Sequence, residues 1–175
     1  GGTGWGASAT GSSSVSIGDG AIARGRGKFS FASGNSAVGS SMMQSGQLTI
    51  SLVTTNNTAA GLNSYNYGAA GSDNQLILPN NSAFAFHGTI VARQKASEGT
   101  ACAAWRIEGL IRKEGSSGST VLVNSATTVL DNTPNWGMAL SADTSNGALK
   151  VQATGASSTN IRWTGTLYSS EVTYA

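Results

Sequence analysis

Between Ser16 and Gly39 the chain reads SIGDGAIARGRGKFSFASGNSAVG, six glycines interleaved with three cationic side chains, Arg24, Arg26 and Lys28. Such a stretch could cradle a phosphate, hold nucleic acid or form a repetitive coil. The spacing Gly18-Asp19-Gly20 to Gly25 fits neither the dinucleotide fingerprint nor the P-loop, which needs Lys and then Ser or Thr directly after its last glycine. Three cations with Asp19 beside them are too few for a nucleic-acid arm. The coil is left, with Arg24, Arg26 and Lys28 expected on its solvent face or paired with carboxylates of a neighbouring chain.

The other reactive side chains are sparse. His87 is the single histidine; it has no nucleophile elbow or orienting acid near it in sequence, and alone it makes no zinc site. Cys102 is the single cysteine, which excludes an intrachain disulfide and a cysteine metal cluster; its apolar surroundings predict a buried structural thiol. A glycosidase would need two carboxylates flanking a sugar groove. Glu108 alternates with Arg106 and Arg112 and is expected to pair across strands with one of them or with Arg162. Asp73, Asp131 and Asp143 stand in turn-like contexts, where Asp commonly bonds nearby backbone. No catalytic residue, metal ligand or cofactor is expected.

Recognition is the remaining chemistry. GLNSYNYGAAGSDNQ, residues 61–75, interleaves Tyr65 and Tyr67 with Asn63, Asn66 and Asp73. Aromatic faces beside amides suit sugar rings, through stacking and hydrogen bonds to hydroxyls. The same residues serve equally well as anchors of a long loop. Asn63, Tyr65, Asn66, Tyr67 and Asp73 are the candidate glycan-binding set.

These residues need a frame, and alternation supplies it. Leu48, Ile50 and Leu52 fall on one face of a period-two run, as do Phe84, Phe86 and Ile90, then Trp105, Ile107 and Ile111. Further runs align Trp136, Met138 and Leu140, then Leu149, Val151 and Ala153, then Ile161, Trp163 and Leu167. The Thr144–Gly147 segment, TSNG, is a hairpin signal. The fold expected is all-β: a short glycine-rich β-coil over residues 1–46, then an antiparallel β-sandwich over 47–175. A single coil copy cannot bury its few apolar groups, so identical chains are expected around an axis.

Charged residues are only 10 % of the 175, hydrophobic residues 39 %, and the net charge is +2. This excludes a disordered tip and a strongly basic nucleic-acid binder. No segment approaches the ~18 apolar residues of a membrane span, and the opening GGTGWGASATGSSS has no signal-peptide pattern.

With those residues in view, the segments WRIEGLIR at Trp105–Arg112, LSADTSNGAL at Leu140–Leu149 and IRWTGTLYSSEV at Ile161–Val172 resemble the C-terminal domains of tailed-bacteriophage tail fibres, including those of Acinetobacter phages. The first part resembles glycine-rich coil repeats of phage fibres and trimeric bacterial adhesins. The resemblance implies a homotrimeric virion protein, assembled in the host cytoplasm. It further implies non-catalytic binding to a host-surface polysaccharide or similar receptor, without nucleic-acid partners or membrane insertion. A capsule-degrading tailspike and an adhesin head are the competing expectations.

Overall fold

The computed structural model describes residues 2–3, 6–33, 42–65 and 68–174. The chain begins with five short strands: β1 (Gly2–Thr3), β2 (Ser8–Ala9), β3 (Val15–Gly18), β4 (Ile22–Ala23) and β5 (Phe29–Ala32). They pair in parallel, β1-β3-β5 on one side and β2-β4 on the other. Each residue sits opposite the one 14 positions later: Gly2 opposite Ser16, Ser8 opposite Ile22, Val15 opposite Phe29. This is a flattened β-coil. Gly18 takes φ +99° at a corner, where a Cβ would collide with the Ala32 carbonyl of the next turn. Gly34 and Gly39, expected to close further units, lie outside the described residues.

Nine further strands follow: β6 (Met42–Thr54), β7 (Ala60–Leu62), β8 (Leu76–Ile77), β9 (Ser82–Gln94), β10 (Cys102–Lys113), β11 (Val121–Asp131), β12 (Gly137–Asp143), β13 (Ala148–Thr154) and β14 (Ile161–Thr173). One sheet runs β1-β3-β5-β6-β14-β9-β10-β11; a smaller one is β12-β13-β7, with β8 also on β13. The architecture is all-β, and every pairing after the coil is antiparallel. β6 runs through residue 46, and β5 pairs with this strand, Phe29 opposite Gln47 and Phe31 opposite Ser45.

The core lies between the two sheets. Leu48, Ile50, Phe84, Phe86, Ile90, Trp105, Ile107, Ile111, Ile161, Trp163 and Leu167 point inward from the large sheet, onto Leu62, Leu76, Leu149 and Val151. Alternation determines this, since one strand face must leave water for each apolar set to be buried. Trp163 stacks on Trp105 at 5.6 Å between ring centroids, and its indole N–H donates to Thr54 Oγ1 at 2.9 Å. Cys102 departs from expectation. It is exposed, because its neighbours Ala103 and Trp105 take the core side of β10.

The coil cations depart from it too. Lys28 is 3 % exposed, and its Nζ meets Glu171 at 2.6 Å (Oε1) and 2.7 Å (Oε2). Ser169 Oγ donates to Oε1 at 2.5 Å, and Gln44 Nε2 to Oε2 at 2.8 Å. The Gln44 amide also accepts from the Ile22 N–H and donates to the Ile22 carbonyl, both at 2.8 Å. Gly46 lies under this cluster, where a Cβ would strike Glu171, Ser169 and Lys28. Burial lowers the Lys28 pKa, opposed by Glu171, and half-buried Arg24 is lowered for the same reason. Lys28 therefore fastens the coil to β14 of its own chain.

The β12–β13 hairpin closes as TSNG predicts, around Asp143. Its Oδ1 accepts from the N–H groups of Ser145 (3.1 Å) and Asn146 (3.0 Å), and its Oδ2 from Asn146 Nδ2 (2.8 Å) and Gln75 Nε2 (2.9 Å). Burial raises the Asp143 pKa, but these bonds together bring it below the usual aspartate value. A carboxyl lowered on folding stabilises above its unfolded pKa, and that contribution fades as pH falls through the folded value. Asp143→Ala should cost about 1–2 kcal/mol at pH 7. In urea titrations the gap to wild type should shrink at pH 3; a gap independent of pH would contradict this account.

Candidate functional site

The loop after β7 holds the glycan-binding set expected from sequence. Asn63 is buried and exchanges backbone hydrogen bonds with Ser51 of β6. Its side chain accepts from Tyr65 N at 2.7 Å and donates to the Gly68 carbonyl at 2.9 Å. Asn74, also buried, braces the loop in the same way, between Gly71 N and the Ala69 carbonyl. Asn63 thus shapes the loop and turns its amide away from solvent. Tyr65 and Asp73 face outward. The Arg26 guanidinium lies 4.6 Å above the Tyr65 ring, and Arg26 Nε is 4.0 Å from Asp73 Oδ2. Ser64 Oγ adds a 2.7 Å bond to the Arg26 carbonyl. Coil and loop therefore meet in an exposed Tyr65–Arg26–Asp73 cluster. Asn66 and Tyr67 lie outside the described residues.

A second surface was not singled out from sequence. The large sheet carries the small sheet on one face only, so its other face is open. Strand register lays residues across it in rows: Val15, Phe29, Gln47, Tyr168, His87 and Glu108 form one. Ile17, Phe31, Ser45, Ser170, Ala85 and Leu110 form the next. His87 stacks on Tyr168 at 5.4 Å with 20° between planes. Alternation already placed His87 opposite Phe84 and Phe86. Its contact with Tyr168 depends on β9 pairing with β14, which no local spacing reveals.

The carboxylates are largely committed. Glu108 pairs with Arg106 at 3.0 Å, within its own strand, whereas a cross-strand pairing was expected, and Glu114 pairs with Arg112. Asp131 accepts from the Thr133 N–H and hydroxyl, and Glu171 is buried with Lys28. No group of three or more His, Cys, Asp or Glu that could hold a metal occurs among the described residues. No described helix is long and apolar enough to cross a membrane.

Fold and surface together define a class: an all-β, two-layer protein extended by a parallel coil, with one face of its large sheet uncovered. No family model matches the chain, and no curated protein does. Among solved structures it is similar to the tailspike protein gp49 from Acinetobacter baumannii bacteriophage Fri1, a capsular polysaccharide depolymerase. That match has 13 % identity and a TM-score of 0.33, over 77 % of this chain and 20 % of the tailspike. The chain thus corresponds to about a fifth of that protein's length.

Proposed function

We propose that this chain is the distal part of a phage tail fibre, a homotrimer that binds a host-surface polysaccharide without cleaving it. The observation that carries the reading is the open sheet face, whose coil end gathers exposed Val15, Ile17, Phe29, Phe31 and Val172. Soluble monomers seldom leave so contiguous an apolar patch in water. Two further copies of the chain cover it, completing the core that the coil cannot build alone. The sequence resemblance to tail-fibre tips points the same way. Sugar contact falls to outward-facing groups, among them Tyr65 and Asp73. Binding without hydrolysis fits the ion pairs and turn bonds that engage Glu108, Glu114, Asp131, Asp143 and Glu171. Three identical tips multiply weak sugar contacts into avidity.

Fluorescently labelled chain should decorate susceptible bacteria, and light scattering should give about three times its 17.6 kDa mass. Released reducing sugar would replace binding with depolymerisation. A correct trimer that decorates no susceptible cell would remove the host-binding role.

A further inference from the structure

The far end of the open face has a different character. Strand pairing sets Arg93 directly opposite Arg162, flanked in the same row by Val53 and Cys102. This row lies six residues along β6 from Gln47, roughly 20 Å from the row of Phe29. Both arginines are exposed. Like charges directly opposed across strands are unfavourable, and no carboxylate stands in the row to offset them.

Neither guanidinium meets a carboxylate among the described residues. Arg93 uses only Nη1, in three long 3.3 Å bonds to the carbonyls of Gln94, Gly99 and Ala101. Arg162 has no hydrogen-bond or ion-pair partner among the described residues. Lys95 adds a third cation. The carboxylate nearby, Glu98, is already engaged by Asn160, whose N–H donates at 2.7 Å and whose Nδ2 donates at 2.5 Å. Those two bonds hold its carboxyl below the usual glutamate range, so it stays ionised, yet it stands 3.9 Å from Lys95.

The arginines line a groove of about 530 Å³ that continues into a second of about 340 Å³, sharing Val53, Arg93 and Arg162. The larger is of the size that ligand clefts take, roughly 300–1,000 Å³. Exposed Val53, which both clefts share, and Val91 in the smaller one give apolar ground beside the charges. A second copy packed groove to groove about a twofold axis is a poor occupant, because it would set these cations against their own copies. Nucleic acid is a poor one also: the aromatic residue along the groove, Trp163, has its ring buried in the core and out of reach of a base, and cations for a phosphate backbone are few. A sugar acid suits both halves, its carboxylate taken by planar guanidinium forks and its C–H face laid on valine.

We infer that this groove binds an acidic polysaccharide, with a sugar carboxylate bridging Arg93 and Arg162. The inference rests on the polysaccharide-binding reading above and adds the chemical class and the place. Calorimetry of the full chain with a galacturonate trisaccharide and with the neutral galactose trisaccharide tests it. The acidic sugar should bind at least about tenfold more tightly, and Arg162→Gln should remove about that factor without changing the assembly's mass. Arg106→Gln, on the same face but paired with Glu108, should leave affinity within about twofold. Equal affinity for both sugars, no detectable binding of either, or equal losses in the two variants would overturn it. Cell decoration separates the two claims. Wild type and Arg162→Gln decorating cells alike would sink the groove and leave the host-binding reading standing. No decoration by wild type, with Arg162-dependent galacturonate binding intact, would do the reverse.

Discussion

Glu171→Ala should lower stability by about 3–5 kcal/mol, among the largest losses available to a single substitution here. The side chain is fully buried and both its oxygens are in use, so its removal orphans Lys28, 3 % exposed, and the Ser169 hydroxyl, while Gln44 keeps its bonds to Ile22. An isolated buried ammonium cannot recover its hydration, and shedding the proton becomes its cheapest option. The pH dependence carries the signature. A lysine whose folded pKa is lowered binds fewer protons folded than unfolded between that value and about 10.4. Stability therefore rises with pH through that window. In the variant the rise should begin at lower pH than in wild type, because Glu171 no longer supports the charge. Urea midpoints at matched protein concentration, from pH 7 to 10, read both effects. The double variant Lys28→Met/Glu171→Leu should recover most of the loss, since replacing a whole buried pair by apolar groups is often neutral. A single variant as stable as wild type would mean that the clasp contributes nothing.

Phe31→Glu combined with Val172→Glu should convert the proposed trimer to monomers while leaving the fold intact. Both side chains are exposed on the open face, 46 % and 45 %, so the isolated chain accommodates the charge in water. In the proposed assembly each protomer would bury two carboxylates without partners, at several kcal/mol apiece. Six such groups around one axis exceed what association can supply. Light scattering should report one chain's mass in place of three, with an unchanged far-ultraviolet circular dichroism spectrum. Cell decoration should fall with the loss of avidity, by about a hundredfold or more. A trimer that survives both substitutions would place the interface elsewhere.

The division between what was legible in the sequence and what was not follows the range of the interactions. Period-two alternation made the strand segments visible, along with their inward faces, from Leu48 and Ile50 to Trp163 and Leu167. It works because a strand's side chains alternate by local geometry, whatever the strand pairs with. The Asp143 hairpin was legible for the same reason, as its bonds to Ser145 and Asn146 span only two or three residues, whereas the one from Gln75 spans 68. The glycine rhythm announced a coil, although its 14-residue turn emerged only from the parallel registers.

The same locality explains the misplaced side chains. Lys28 looked solvent-facing because its partner Glu171 lies 143 positions away. Cys102 looked buried because its apolar neighbours hid which of two faces it took. In the loop, Asn63 and Tyr65 shared one polar-aromatic pattern, yet burial turned the first inward and left the second 45 % exposed. The Arg93–Arg162 row and the His87–Tyr168 stack arise from β14 entering the sheet between β6 and β9, against chain order. Contacts between neighbours a few residues apart set the all-β character, the core faces and the tight turn, and these are written in the chain's local pattern. Which charges are buried, which stand opposed and which face is left open follow from strand order and register, which join residues that chain spacing keeps apart.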